Sequence, residues 1–207
     1  MPIEGLYVIL DGSKLAEEVL KGGCKILQLR NKTATTLQLF REAQIIRELT
    51  KKYDATFIVN DRIDIALAVD ADGVHLGKED LPLSVARRLL PGKIIGFSAD
   101  TLDEAWEAER LGADYISLGP IFPTQSKPDA GPVVGLETLA KVKRNLSRPL
   151  VAIGGINKYN IIETVKHGAD AIAVISAVVS SPNPRQEVEQ LIALFKRAKE
   201  EMNESKD

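Results

Sequence analysis

The chain of 207 residues is 44% hydrophobic and 27% charged, a balance that predicts a single globular domain with a sizeable core. Its formal net charge of −2 excludes a broad basic surface for nucleic acid, so an anion site must be built from a few placed cations. No apolar run approaches the roughly 20 residues that span a bilayer, and no charged leader precedes the first one, so we expect a cytoplasmic protein without a membrane partner.

Eight short β-rich runs recur along the chain, and most are almost continuously apolar, as expected of parallel strands covered on both faces. The runs span residues 6–10, 26–30, 56–60, 73–77, 94–98, 115–121, 150–156 and 171–177. The segments between them have the apolar spacing of helices, and two begin with capping boxes, at 35–38 and 101–104. A Gly-Ala-Asp triplet precedes a strand at 112–114 and 168–170, and a looser copy lies at 69–74.

These units predict an α/β fold, a single closed (β/α)8 barrel of the TIM type over residues 1–200, followed by a polar tail at 201–207. The alternative is an open doubly wound sheet, which eight regular units fit less well. Active sites of such barrels lie at the carboxyl ends of the strands. Polar residues gather at those positions in this sequence, so we expect the site there.

The second predicted strand ends with Gln28, Arg30 and Lys32. In an extended strand these three share one face, while Leu27 and Leu29 take the other. Two cations and an amide aimed the same way are costly without an anionic partner. The pattern therefore indicates a phosphate or diphosphate site, with solvated strand-end charges as the alternative.

Two carboxylates, Asp61 and Asp80, follow the third and fourth predicted strands. Magnesium favours one or two carboxylates completed by water and substrate phosphate oxygens, so the two residues fit a magnesium pair. Their spacing fits the caps of the two following helices equally well. Arg30, Lys32 and Lys127 favour the metal, because a metal-bound diphosphate needs more than one cation around it.

Three further features concern the last strands and the buried reactive groups. Gly154-Gly155 and Ser176 follow the seventh and eighth strands, where barrels often hold a phosphate, although the glycines also suit a crowded rim.

We expect His75 to be a satisfied core or rim histidine rather than a general base. The one cysteine, Cys24, excludes an internal disulfide and is expected to be a small buried hydrophobe.

These strand ends together resemble the thiamine phosphate synthase family, over residues 6 to about 178. Seven segments carry the resemblance, in the family's order: QLRNK at 28–32, VND at 59–61, GVHLGKED at 73–80, GFS at 96–98, GPIFPTQSK at 119–127, AIGGI at 152–156 and VIS at 174–176. One departure is Asn31, which stands where the family often has an acidic residue. It lies opposite the Gln28, Arg30 and Lys32 face.

The resemblance implies a transferase of thiamine biosynthesis that uses Mg²⁺. A hydroxymethylpyrimidine diphosphate loses diphosphate, and the nitrogen of a hydroxyethylthiazole phosphate joins the freed methylene carbon, giving thiamine phosphate. The implied pyrimidine diphosphate ligands are Gln28, Leu29, Arg30, Asn31, Lys32, Asn60, Ser98 and Lys127. The implied catalytic residues are Arg30, Lys32, Ser98 and Lys127. The implied magnesium ligands are Asp61 and Asp80. The implied thiazole phosphate ligands are Thr124, Gln125, Ser126, Gly155, Ile175 and Ser176.

Three alternatives stay open at this point. A thiazole tautomerase-like paralogue would be an isomerase on a similar barrel and would not need the diphosphate machinery. A non-catalytic binder of phosphate ligands would release no diphosphate. An unrelated phosphate-handling isomerase or lyase would need a dedicated general base, for which the sequence offers only His75. The expected partners are small-molecule substrates, and a homo-oligomer is left open.

Overall fold

The computed structural model describes residues 3–126 and 131–204, and its eight parallel strands close into one barrel in chain order. The strands are β1 (Gly5–Leu10), β2 (Ile26–Leu29), β3 (Thr56–Asn60), β4 (Gly73–Leu76), β5 (Ile94–Ala99), β6 (Tyr115–Leu118), β7 (Leu150–Ile153) and β8 (Ala171–Val174). The helices are α1 (Ala16–Lys21), α2 (Thr36–Lys52), α3 (Ile63–Ala68), α4 (Leu83–Leu89), α5 (Leu102–Arg110), α6 (Gly135–Asn145), α7 (Ile161–Lys166), α8 (Ser176–Val179) and α9 (Pro184–Glu204).

The predicted (β/α)8 barrel is confirmed, while several predicted strands run too far at their carboxyl ends. β6 stops at Leu118 because Pro120, in a cis peptide with Gly119, has no N–H to give to a ladder. β7 stops at Ile153 because Gly154 takes a φ of 100°, outside the extended region. The residues that were predicted as the last part of these strands therefore lie in the loops at the rim. Residues 201–204, predicted as part of the polar tail, continue α9.

Two separate cores result from the alternation of side chains along the strands. The inner core fills the barrel and is built from Ile3, Tyr7, Ile9, Ile26, Ile58, Tyr115, Val151, Ala171 and Ala173. The larger outer core lies between the strands and the helices, and Leu27 and Leu29 belong to it. The sequence alternation predicted for β2 is thus confirmed. None of the helices in the described part of the chain is long and apolar enough to cross a membrane.

The Gly-Ala-Asp repeat ties neighbouring strands together at the amino end of the barrel. Asp72, Asp114 and Asp170 each stand directly before an even-numbered strand. Each donates its backbone N–H to the carbonyl of one residue in the preceding odd strand, and its Oδ2 accepts the N–H of that same residue. The three partner residues, with their distances to Oδ2, are Phe57 at 2.7 Å, Ile95 at 2.8 Å and Leu150 at 2.8 Å.

A cation completes each of these bridges. It comes from α2 for the aspartate before β4, from α4 for the aspartate before β6, and from α6 for the aspartate before β8. The contacts to Oδ2 are made by Arg47 of α2 at 2.9 Å, Arg87 of α4 at 2.6 Å and Lys143 of α6 at 2.6 Å. The fourth equivalent position, directly before β2, is Lys25, so the repeat stops there. One carboxylate therefore fixes two strands and a helix in three of the four quarters of the barrel.

We predict that Asp170→Ala lowers the free energy of unfolding by about 1–3 kcal/mol, because it leaves the buried Leu150 N–H without its acceptor and Lys143 without its counter-charge. Denaturant unfolding measures the change. Glu200→Ala, which removes an exposed carboxylate from α9, is the control and should change stability by less than about 0.5 kcal/mol. Equal effects of the two variants would contradict this role for the repeat.

Candidate active site

A cavity of about 380 Å³ opens at the carboxyl ends of the strands. Residues in or after seven of the strands line it, from Arg30 beyond β2 to Ser176 beyond β8, and β1 contributes none of the described lining. This is the location that the sequence predicts. The parallel orientation of the strands brings these seven segments to one rim.

Most of the predicted site residues come together in this cavity. Those that line it are Arg30, Lys32, Asn60, Asp61, Asp80, Ser98, Thr124, Ser126, Gly155, Ile175 and Ser176. Four predicted ligands are not part of the lining: Gln28, Leu29, Asn31 and Gln125. Lys127 lies outside the residues that the structure describes.

The three predicted ligands from β2 and its loop point to other places. Gln28 lies inside the barrel below the cavity, 2% exposed, and its Nε2 donates to the oxygen of Tyr7 at 2.6 Å. Leu29 is fully buried in the outer core. Asn31 organises the loop before α2: its Nδ2 donates to the Asp11 carbonyl, and its Oδ1 accepts the Ala34 N–H. None of the three reaches the cavity in this arrangement.

Cations stand on one wall of the cavity. β2 ends at Leu29, so Arg30 and Lys32 lie in the loop that follows rather than in the strand as predicted, and both line the cavity. Lys32 Nζ is 3.7 Å from Asp61 Oδ2. Lys78, which the sequence reasoning did not single out, also lines the cavity and contacts Asp100 Oδ2 at 2.7 Å. Its position directly after Gly77 at the end of β4 is the signal that could have found it.

Asp61 and Asp80 face each other, and neither occupies the capping position of a helix. Arg62 precedes α3 and Pro82 precedes α4, so the cap interpretation of the spacing is wrong. Asp61 has a φ of 61°, in the left-handed region, and its N–H donates to the His75 carbonyl at 2.9 Å. Asp80 Oδ2 accepts the Gly77 N–H at 2.6 Å.

The surroundings of Asp61 change its ionisation. Burial raises the pKa of Asp61 from 3.8 to about 6, the hydrogen bond and charge of Asp80 add to the rise, and Lys32 and Arg30 oppose it. The ionised form of Asp61 is therefore disfavoured in spite of the two cations beside it. A bound cation would relieve this repulsion.

The opposite side of the cavity is built by the loops after β6, β7 and β8. A Cβ on Gly154 would lie 2.5 Å from Pro120 Cα, and one on Gly155 would lie 2.6 Å from the Pro123 carbonyl oxygen. The glycines thus allow two loops to pack closely, which supports the crowded-rim interpretation, and both also line the cavity. Ser126 Oγ donates to Ser176 Oγ at 2.9 Å and joins the β6 and β8 loops.

A chain of hydrogen bonds leads from the barrel interior to the cavity. Gln28 Nε2 donates to the Tyr7 oxygen, which lies 2.9 Å from the Tyr115 oxygen. The Tyr115 oxygen lies 2.9 Å from His75 Nδ1, and His75 Nε2 lies 2.8 Å from Ser98 Oγ. The prediction of a satisfied, buried His75 is confirmed. Tyr7 and Tyr115 were missed, and a polar tip at an inward-facing position of an apolar strand is the only signal for them.

The prediction for Cys24 is also confirmed. Its side chain is buried, and its Sγ donates to the Ile26 carbonyl at 3.1 Å. Burial raises the pKa of the thiol to about 11, so the thiolate is not available near neutral pH.

A cavity at the carboxyl rim of a barrel, with cations beside a carboxylate pair, is the kind of site that phosphate-handling barrel proteins use. The sequence profile of the family described as thiamine monophosphate synthase matches residues 6–178. The chain belongs to this family.

Individual relatives agree with this assignment. The thiamine-phosphate synthase of Pyrococcus furiosus is 49% identical over 90% of this chain and 92% of its own length. That of Chlorobium phaeovibrioides is 53% identical over 86% of this chain and 85% of its own length. The solved structure of thiamine phosphate pyrophosphorylase from Pyrococcus furiosus superposes with a TM-score of 0.87 at 43% identity, covering 95% of this chain and 96% of that one.

We predict that Asp61→Asn stabilises the metal-free protein at pH 7.5 and that the gain fades as the pH falls to 4. The folded-state pKa of Asp61 is raised, so its ionised form costs stability above about pH 6 and its protonated form does not. After solvent screening the gain is on the order of 1 kcal/mol. Asparagine also tolerates the left-handed backbone at this position.

Asp64→Asn is the matched control for this pH dependence, with the opposite sign. The ion pair with Arg62 lowers the pKa of Asp64. The Asp64→Asn protein should therefore be less stable than wild type at neutral pH and as stable as wild type in acid. Thermal unfolding between pH 4 and 8 without metal measures both variants. An Asp61→Asn protein that is less stable than wild type throughout this range would contradict the predicted repulsion.

Proposed function

We propose that this cavity makes thiamine phosphate with Mg²⁺ and pyrimidine diphosphate on the wall formed after β2 to β5, and with thiazole phosphate under the loops after β6 to β8. The activity is the transferase reaction of thiamine-phosphate synthesis. The C–O bond of the hydroxymethylpyrimidine diphosphate breaks, diphosphate leaves with the bonding electrons, and the thiazole nitrogen gives its lone pair to the methylene carbon.

One observation carries the proposal: the loops after β2, β3 and β4 place Arg30 and Lys32 on the same wall as the Asp61/Asp80 pair. Arg30 and Lys32 stabilise the negative charge that develops on the diphosphate as the C–O bond breaks. Asn60 of β3 and Ser98 of β5 line the same cavity and supply neutral hydrogen-bonding groups. The same role is proposed for Lys127 by the family resemblance.

The charge balance supports magnesium at Asp61 and Asp80. In the described part of the lining, the carboxylates Asp61, Glu79, Asp80 and Asp100 outnumber the cations Arg30, Lys32 and Lys78. No group of three or more His, Cys, Asp or Glu among residues 3–126 and 131–204 could hold a metal by itself. A carboxylate pair that shares its ion with substrate phosphate oxygens fits both facts, and magnesium bound there adds positive charge for the departing diphosphate.

The histidine of the cavity and the one cysteine of the chain agree with a reaction that needs no protein nucleophile. The aminopyrimidine ring spreads the positive charge that forms on the methylene carbon. Both ring nitrogens of His75 are engaged in hydrogen bonds, and Cys24 is buried as a thiol. Thr124, Ser126, Gly155, Ile175 and Ser176 line the opposite side, where the thiazole phosphate would bind.

The decisive experiment incubates the protein with both substrates and magnesium and measures diphosphate and thiamine phosphate. We expect one diphosphate per thiamine phosphate, no release from either substrate alone, and no turnover after EDTA removes the metal. A folded protein that releases no diphosphate would refute the proposal and leave the binder or the tautomerase-like isomerase. Full turnover in EDTA would refute only the magnesium requirement.

We predict that Arg30→Ala lowers kcat by at least roughly tenfold, because it removes a charge contact that strengthens as the leaving group departs. Steady-state kinetics at saturating magnesium measures this loss. Arg41→Ala removes an exposed arginine of α2 and is the matched control. Unchanged kcat in the Arg30 variant would eliminate its role toward the leaving group.

A further inference from the structure

In the hydrogen-bond chain from Gln28 to Ser98, the donor and acceptor of each bond can be assigned in turn, starting from Gln28. An amide nitrogen only donates, so the Tyr7 oxygen accepts from Gln28 Nε2, and the Tyr7 hydrogen is left for the Tyr115 oxygen. In this direction the Tyr115 hydrogen goes to His75 Nδ1, which lies 2.9 Å from the Tyr115 oxygen. A neutral imidazole that accepts at Nδ1 carries its hydrogen on Nε2, and this hydrogen points to Ser98 Oγ.

The reverse direction leaves a buried hydrogen without an acceptor. If His75 Nδ1 donated to Tyr115, Tyr115 would donate to Tyr7, which would then accept twice. The hydrogen of Tyr7 would have no acceptor among the contacts made by the described residues, in a side chain that is 1% exposed. Leaving such a donor unsatisfied is expensive, so the forward direction is favoured.

The backbone makes room for the central link of this chain. Gly96 of β5 pairs with His75 on one side and with Tyr115 on the other. A Cβ at Gly96 would lie 2.0 Å from Tyr115 Cζ and 2.4 Å from its hydroxyl oxygen. The missing side chain lets the phenol cross β5 and stack on the imidazole, with ring centroids 5.5 Å apart. Any larger residue at position 96 would displace the phenol.

We infer that Tyr115 is a positioning residue that holds His75 as the neutral Nε2–H tautomer and so commits the Ser98 hydroxyl to donate into the cavity. Ser98 Oγ accepts from His75, which leaves its own hydrogen for a ligand. The inference rests on the proposed function for the identity of that ligand, a hydrogen-bond acceptor atom of the pyrimidine diphosphate. Ser98 thereby selects an acceptor rather than a donor at this point of the substrate.

The tautomer can be measured directly, without substrate. The chain has two histidines, and His167 lies at the carboxyl end of α7, where its Nδ1 contacts the Glu163 carbonyl. In a His167→Gln background, ¹H–¹⁵N correlation spectra therefore report His75 alone and distinguish its protonated from its unprotonated nitrogen. We expect hydrogen on Nε2, with Nδ1 unprotonated.

Tyr115→Phe and Tyr7→Phe form a matched pair, since each removes one buried hydroxyl from the inner core. Tyr115→Phe removes the donor to Nδ1, so we expect the Nε2–H tautomer to lose its dominance. Tyr7→Phe leaves Tyr115 able to donate to His75, so we expect this variant to keep the wild-type tautomer. With pyrimidine diphosphate as the varied substrate, kcat/KM should fall roughly tenfold for Tyr115→Phe and less than about threefold for Tyr7→Phe.

Three results would overturn the inference: hydrogen on Nδ1 in the parent protein, an unchanged tautomer in Tyr115→Phe, or equal kinetic losses in the two variants. The parent spectrum needs no tyrosine variant, so a failure of Tyr115→Phe to fold does not remove the test. A failure of the proposed function is seen separately, as absence of diphosphate release by the wild-type protein. The tautomer measurement stands in either case.

Discussion

Closure of eight parallel strands into one barrel, with β1 bonded to β8, is the constraint on which the rest of the molecule depends. It sends every strand's carboxyl end to one rim and every amino end to the other. At the amino end, Asp72, Asp114 and Asp170 each fix two strands and a helix. These bridges hold that rim together, and the opposite rim carries the charged and polar side chains whose arrangement serves a ligand.

Carboxylates outnumber cations, four to three, in the described lining of the ligand-facing rim. Burial and the neighbouring Asp80 oppose the ionisation of Asp61, and Lys32, whose Nζ lies 3.7 Å from Asp61 Oδ2, offsets only part of this effect. We propose that diphosphate binds here together with a cation, because a further anion alone would meet the Asp61 and Asp80 carboxylates. A divalent cation at Asp61 and Asp80 would make the charge of this wall positive and would link metal binding to diphosphate binding. This linkage is the physical core of the proposed reaction.

The sequence predicts the fold and most of the cavity, because hydrophobic alternation and strand-end polarity depend on local spacing. Alternation correctly places Gln28 on the face opposite Leu27 and Leu29. It does not show how far along the strand the barrel interior ends and the cavity begins, and Gln28 lies in the interior, below the cavity. Spacing cannot separate a metal ligand from a cap at Asp61, since its left-handed backbone depends on the His75 carbonyl of the next strand. The Tyr115 to His75 contact depends on the space left by Gly96 between them, which no linear pattern records.

The binding of inorganic diphosphate, measured by calorimetry with and without magnesium, tests the central claim most directly. We predict that magnesium tightens diphosphate binding at least roughly tenfold, that diphosphate tightens magnesium binding by the same factor, and that Asp80→Asn abolishes the coupling. Equal diphosphate affinity in the presence and absence of magnesium would contradict a shared metal and leaving-group site at Asp61 and Asp80.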